Sequence, residues 1–364
     1  MPGLRALRTI VRAVRQHHRQ ARAATGKGIT RQAVEIAYAK LRGFSSADYY
    51  ILPLYRGDRW DYLGQPSYSR LNAHLNPAHA GAVGFNKWVS WHFFIGAGLP
   101  TPVVHGFYHP QRGVDRDGQP LRTRDQLIGL LARRGAGLVL KPVDGGQGRN
   151  LLVLADCDAD GAVRSDGTRM DHGALFDFLA REDEGWLIQD RVEQHPDLAR
   201  VHPSSLNTLR IMTLVLDDGT ITTTIGRLRM GRGGGAHDNT SAGGLTCQID
   251  LATGRCGPAM LTYGDERFTT HPDTGTAIEG LAIPHWQAAR ELVERAHALL
   301  PFPRDLGWDV GVTPDGPVLI ETNSYWASHT SQKPNKNLAK LAYGTMLSKA
   351  GRAGPITEHP CPSA

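Results

Sequence analysis

The sequence predicts an α+β fold, and three observations carry that prediction. Two alternating apolar stretches, "SLNTLRIMTLVLDDGTITTTIGRLRMG" and "DLGWDVGVTPDGPVLIETN", fold back on themselves as hairpins. A third strand-like run, "LVLKPVDGGQGRN", enters a glycine loop and leaves it as another strand, "NLLVLA". Helical stretches fall between these irregularly, so the pattern is α+β and not a regular βαβα alternation. At 364 residues the chain has room for two or three ordinary domains or one composite enzyme fold. There is no internal repeat, and no low-complexity stretch beyond "GRGGGAHDN".

The elements follow in chain order. Arg5, Arg8, Arg12, Arg15, Arg19 and Arg22 recur at steps of three and four, with Leu7, Val11, Val14 and Ala21 on another face. That is a basic amphipathic helix. It reads either as a solvated helix packed by its apolar stripe or as a face attracted to an anionic membrane surface or polyanionic glycan; organellar targeting peptides share the signature. "TRQAVEIAYAKLRGF" predicts a second helix with Thr30 as N-cap and Gly43 as stop. The stretch to about residue 82 offers no motif. "GFNKWVSWHFFIGAGLPTPVVHGF" reads as helix, glycine stop and strand, crossed at Pro100 and Pro102. A helix is expected from about Asp171 to Glu182, a strand in "GWLIQDRV", and a helix from His285 to Leu300.

Composition narrows the class. The formal charge of +6, concentrated toward the N-terminus, favours acidic partners without indicating nucleic acid. Cys157, Cys247, Cys256 and Cys361 form no C-x-x-C pair and no metal spacing with histidine, which suits a reducing compartment and disfavours zinc. No stretch has the run of apolar residues that spans a membrane, and the first residues lack a signal-peptide core. The expectation is a soluble, cytoplasmic protein.

In "LVLKPVDGGQGRN" Lys141 precedes the glycines and a strand follows them. A P-loop has its lysine after the glycines and feeds a helix, so this is not one. The spacing is not that of a dinucleotide-binding G-x-G-x-x-G either. What remains is an ordinary turn or a flap whose N–H groups close over phosphate while Lys141 reaches it from the strand below. The last hairpin discriminates. Centring its register on Asp315 sets Asp309 directly opposite Glu321, and opposed like charges are unfavourable unless something compensates. A divalent cation compensates, with Asn323 adding an oxygen from the same face; carboxylates and an amide without histidine or cysteine suit magnesium, the alternative being a hairpin with two solvated acids. In the other hairpin a two-residue turn at Asp218 and Gly219 puts Arg210 opposite Arg227 and Thr208 opposite Arg229. Three arginines then gather at the end far from the turn, a cluster that suits phosphate or carboxylate, the alternative being solvated or salt-bridged arginines.

A lysine before a glycine flap, a strand-end hinge, an arginine-bearing strand and a D…E-x-N hairpin, in this order, resemble the ATP-grasp superfamily from roughly Asn86 to Met346. "DRVEQHPDLARVHPSSLNTLRIMT" and "LGWDVGVTPDGPVLIETNS" are most similar to sugar-transfer-associated ATP-grasp proteins, often linked to polysaccharide biosynthesis. The resemblance implies two α+β lobes enclosing a nucleotide, behind a basic helical extension. The corresponding segments are 1–82 for the N-terminal region, 83–192 for the flap part, 193–350 for the metal-binding part and 351–364 for a tail.

Residue by residue, Lys87 resembles the first phosphate-binding lysine of D-alanine:D-alanine ligases and Lys141 the second; Gly145, Gly146 and Gly148 resemble the flap. Adenine would be read by main-chain groups near Asp190 and Val192, beside Gln189, and ribose by Glu193, with His195 or Asp197 as alternatives. Asp309, Glu321 and Asn323 match the magnesium ligands. "GAHDNTSAGG" resembles a site-lining segment through Asn239. Some members carry arginine where this chain has Gly307, which leaves Arg210, Arg227 or Arg229 to stabilise the transferring phosphoryl group. The implied activity is an ATP- and magnesium-dependent ligase joining a small-molecule or glycan carboxylate to an amine. A kinase on the same scaffold and a non-catalytic nucleotide-gated module are the alternatives.

Overall fold

The computed structural model describes residues 17–57, 62–77, 81–144, 150–158, 160–235, 238, 243–262, 266–333, 343 and 346. The flap glycines Gly145, Gly146 and Gly148, Asn239, and the first four arginines of the basic helix lie outside the described residues. The chain divides into two compact units, Asn76–Trp326 and the remainder, Met1–Leu75 with Ala327–Ala364.

The described part of the smaller unit is helical. Residues 17–25 form a helix, here α1, with Arg19 and Arg22 exposed and Ala21 buried, as an amphipathic stripe requires. Helix α2 is Ile29–Leu41, with Gly28 and not Thr30 at its N-cap. Thr30 falls inside the first turn, and Gly28 supplies the extended backbone without a side-chain cap. Gly43 does take the left-handed conformation, at φ 81°, that ends the helix. Helices α3 (Ser46–Ile51) and α4 (Gln65–Leu75) occupy the stretch without a motif, α3 opened by a Ser45/Asp48 capping box. A short helix Ser328–Gln332 belongs to the same unit, where Ser328 N–H donates to Gln65 Oε1 at 2.7 Å.

The larger unit contains two seven-stranded sheets, both antiparallel throughout. The first has the order β2-β1-β7-β3-β4-β5-β6, with β1 Val104–Tyr108, β2 Val114–Asp115, β3 Leu138–Pro142, β4 Leu152–Asp158, β5 Gly161–Arg164, β6 Arg169–Met170 and β7 Trp186–Asp190. Helix Arg124–Arg134, with a Thr123/Gln126 capping box, and helix His172–Leu179, capped by Asp171, pack their leucines and Phe176 into its core. The second sheet has the order β12-β11-β10-β9-β8-β13-β14. Its strands are β8 Leu209–Val215, β9 Ile221–Met230, β10 Leu245–Ile249, β11 Cys256–Met260, β12 Arg267–Phe268, β13 Asp305–Thr313 and β14 Gly316–Asn323.

Helix Trp286–Ala298 covers one face of the second sheet. Its Ala289, Leu292, Val293 and Ala296 recur at helical steps and join Leu209, Ile211, Leu228, Trp308 and Val310 in one core. Because strand side chains alternate, the residues between those core positions, including Arg210, Arg227 and Asp309, share the opposite face.

Strands β10, β11 and β12 follow the glycine-rich stretch "GRGGGAHDN", in a segment for which the sequence predicts no strand. Both hairpin turns also differ from expectation. The β8–β9 turn is longer by one residue: Leu216 N–H donates to Thr220 O at 2.8 Å, and Gly219 adopts φ 86°. A register shift between Met212 and Thr213 absorbs the difference, so Arg210 still faces Arg227. The β13–β14 turn is shorter, with Thr313 opposite Gly316, and a shift between Asp309 and Val310 restores Asp309 opposite Glu321.

Candidate functional site

One row of side chains crosses five strands on the face of the second sheet opposite the helix Trp286–Ala298. Pairing sets Glu321 opposite Asp309, Asp309 opposite Arg210, Arg210 opposite Arg227 and Arg227 opposite Gln248. Directly opposed side chains point the same way, so acids fill one end of the row and bases its middle. The bulge at Ile320 is pinned from outside the sheet, where Leu319 N–H donates to Pro100 O at 2.8 Å and Thr101 Oγ1 donates to Leu319 O at 2.9 Å.

Asp309 is buried and accepts from Arg210, through Nε and through Nη2 at 2.9 Å, and from Arg229 Nη2 at 3.0 Å. Burial works to raise its carboxyl, but the two guanidinium groups outweigh it and hold Asp309 at about 2. Arg229 is shared: its Nε lies 3.5 Å from Asp238 Oδ2, and its Nη2 donates to Thr208 Oγ1 at 2.7 Å. Burial opposes its charge, yet Asp238, Asp309 and Glu321 together raise it above the ordinary arginine value. Asp238 also accepts from Thr208 N–H at 2.9 Å, which fixes the near end of β8.

The two lysines approach from other elements. Asn86 caps the helix Lys87–Gly96, accepting from Trp88 N–H at 3.0 Å and Val89 N–H at 3.1 Å, which leaves Lys87 on the first turn. The Lys87 Nζ lies 3.8 Å from Glu321 Oε2, while its N–H donates to Val143 O at 2.9 Å, just past β3. That bond links this helix to the strand carrying Lys141. Lys141 is buried; burial lowers it to about 8, against the pull of Glu321 and with a push from Lys87. Lys87, Glu321 and Asn323 line a small open cleft with Gly84 and Ser90. Gly84 is needed there, because a Cβ would come within 2.5 Å of the Ser324 nitrogen.

Asn323 lies opposite Gly307, and its Nδ2 is buried without a partner. A Cβ on Gly307 would meet nothing closer than 3.7 Å, so the position that carries arginine in some ATP-grasp proteins is open here. Two carboxylates and an amide on one face are an all-oxygen donor set suited to a hard cation. Asp309 Oδ2 already accepts from both arginines, so it is Oδ1, with the single donor Arg210 Nε, that retains a second lone pair. Among the described residues no group of three or more His, Cys, Asp or Glu side chains could hold a metal, in keeping with a set of only two acids.

The hinge segment runs from the first sheet to the second. Gln189 is buried on β7. The Asp190 carboxylate lies 2.6 Å from His105 Nε2, and its N–H is already engaged by Val103 O at 2.9 Å. The Arg191 N–H goes to Gly137 O at 2.7 Å. Val192 Cγ1 packs 3.4 Å from where a Cβ would stand on Gly311, two residues along β13 from Asp309. Glu193 is exposed at the same crossing, while the His195 N–H is bound to Val312 O at 2.8 Å.

Sequence reasoning missed Asp238, one residue before the named Asn239, and the β10 pair Thr246 and Gln248. Their signal was the alternation in "LTCQI", whose Leu245, Cys247 and Ile249 are core while Thr246 and Gln248 share the arginine face.

The profile of the family described as sugar-transfer associated ATP-grasp matches residues 68–342. No curated protein matches the chain. Among solved structures, a biotin carboxylase from Campylobacter jejuni in complex with β,γ-ATP is 14% identical over 76% of this chain and 48% of its own, with TM-score 0.44. The D-Ala:D-Ser ligase VanG from Enterococcus faecalis is 11% identical over 74% and 62%, with TM-score 0.43. A RimK-domain ATP-grasp protein from Sphaerobacter thermophilus is 13% identical over 75% and 69%, with TM-score 0.40. The chain thus spans about half the length of the carboxylase.

Proposed function

The chain belongs to the sugar-transfer associated ATP-grasp family, and from that premise we propose a magnesium-dependent, ADP-forming ligase that joins a carboxylate to an amine. The observation that carries this reading is the opposed pair Asp309 and Glu321, with Lys87 3.8 Å from Glu321 and Lys141 within its electrostatic reach. Two acids and two lysines so close suit a metal-bound triphosphate. Asp309, Glu321 and Asn323 would hold the ion, and magnesium, when bound, neutralises charge on the β- and γ-phosphates.

Lys87 and Lys141 are the donors to the phosphates, Gly145, Gly146 and Gly148 the flap over them, and Asn239 a lining residue. Gln189, Asp190, Val192 and Glu193 flank the nucleoside. A substrate carboxylate oxygen attacks the γ-phosphorus, the bond to ADP breaks, and an acylphosphate forms. The amine nitrogen then attacks the acyl carbon, phosphate departs, and the nitrogen loses a proton to give the amide. Arg210 and Arg229, anchored on Asp309, stand beside the transferring group, while Arg227 lies one strand farther along. The family's sugar-transfer association supports a role in polysaccharide or surface-glycan synthesis, and a nucleotide-consuming enzyme with buried thiols at Cys157, Cys247 and Cys256 suits the cytoplasm. The described part of the basic helix, with Arg19 and Arg22 exposed, leaves peripheral contact with an anionic surface as part of the proposal.

Incubation with ATP, magnesium and a pool of carboxylates and amines, read by mass spectrometry, tests the reading. An amide product with ADP is expected. Phosphate added to a hydroxyl would make the protein a kinase, and nucleotide binding without turnover would make it a binding module.

A further inference from the structure

The site row continues past the anchored arginines. Arg227 faces Gln248, and one step along the same face Arg229 faces Thr246. Arg210 and Arg229 are paired with carboxylates; Arg227 has none. It is only 3% exposed, and its Nε and Nη2 are buried without partners. The Gln248 Oε1 and the Thr246 Oγ1 are likewise buried and unpartnered. Burial pushes Arg227 down to about 9, and Arg210 and Arg229 push the same way. Native proteins leave few such atoms orphaned, and a buried guanidinium facing two more is costly unless an anion joins it.

The orphaned atoms define what is missing. Arg227 calls for an anionic oxygen, Gln248 Oε1 for a hydrogen-bond donor, and the Thr246 hydroxyl can serve as either. Strands stand about 4.8 Å apart, so Arg227 is roughly 10 Å and Gln248 roughly 14 Å from Asp309 along the sheet. That lies off the metal-ligand end of the row, where the ligase reading needs room for the attacking carboxylate. The guanidinium cluster disfavours a cationic donor, which leaves a neutral hydroxyl.

We propose that Arg227, Gln248 and Thr246 form the subsite for the carboxylate substrate, and that this substrate is a hydroxy acid whose carboxylate meets Arg227 while a neighbouring hydroxyl donates to Gln248. This rests on the ligase reading of the same site. Sugar acids belong to the class, and so do simple 2-hydroxy acids.

Titration calorimetry on the full chain saturated with magnesium-ADP tests it, with D-glucuronate, L-lactate, L-alanine, propionate and inorganic phosphate as probes. L-Lactate, L-alanine and propionate share one skeleton and differ in carrying hydroxyl, ammonium or hydrogen. Lactate or glucuronate should bind, with propionate and alanine each weaker than lactate. Arg227→Lys should weaken the bound hydroxy acid about 10-fold or more, and Gln248→Leu about 5-fold without changing propionate; thermal melting checks that both variants are folded. Binding of neither hydroxy acid, or alanine tighter than lactate, overturns the proposal. So does an Arg227→Lys loss confined to magnesium-ADP or phosphate. Separately, ATP turnover insensitive to Glu321→Gln would sink the ligase reading itself, whereas its loss there without hydroxy-acid preference sinks only the subsite.

Discussion

The hairpins β8–β9 and β13–β14 lie side by side in one sheet, share the face turned away from its covering helix, and carry opposite charges on it. In β13–β14 two acids oppose each other; in β8–β9 two arginines do. Each hairpin departs by one residue from the simplest turn its sequence suggests, one longer and one shorter, and each recovers register through a bulge between turn and site. The functional ends are thereby insulated from their turns. The hairpins differ in how their charge is settled. Asp309 accepts from two arginines and Glu321 lies near Lys87, whereas Arg227 has no partner for its Nε and Nη2. Removing one partner of a matched buried pair strands the other charge, whereas removing an unmatched charge strands nothing.

The sharpest way to break this comparison is to remove one arginine of each kind. Arg229→Met strips a counter-charge from buried Asp309 and Asp238, and chemical denaturation should show a loss of about 3–5 kcal/mol. Arg227→Met removes an uncompensated charge, so the nucleotide-free protein should gain about 1–3 kcal/mol while losing activity. Destabilisation by both to the same extent would erase the distinction.

Lys141 sharpens it further, as a cation lowered to about 8 from an ordinary 10.5 chiefly by burial. The unfolded chain keeps this proton up to about pH 10.5 and the folded protein releases it near 8, so the lysine's contribution to stability rises with pH across that window. Affinity for magnesium-ATP should fall over the same range as the ammonium is lost. Calorimetry of wild type against Lys141→Met from about pH 7 to 9, on either side of the lysine's value of about 8, checks this, and an identical pH dependence in both would contradict it. The smallest effect concerns the turns. Gly219, at φ 86° with open space around it, should cost about 1 kcal/mol on conversion to alanine, with site activity intact because the bulge lies between.

The positions that pair across the site were legible because alternation is strong where one face is core. Trp308, Val310 and Leu319 alternate with Asp309, and Leu209, Ile211 and Leu228 with Arg210 and Arg227. Turn length was not legible, since Asp-Gly and Pro-Asp-Gly each allow loops of two or three residues. Strand β10 was hidden for a different reason: Thr246 and Gln248 give its exposed-looking face a polar pattern that resembles a loop, and glycines precede it. Asp238 lay one residue from the position chosen, and only the fold brings it to Arg229. Helices α3 and α4 mix polarity too evenly for their periodicity to show.

The central claim is that the acidic hairpin receives the cation of a metal–nucleotide complex, and the magnesium dependence of ATP consumption in Glu321→Gln tests it most directly. Glu321 is half-buried, so the variant should melt like wild type. The account predicts that turnover falls by about 100-fold or more and that added magnesium does not restore it. Wild-type turnover with an unchanged magnesium dependence would contradict it.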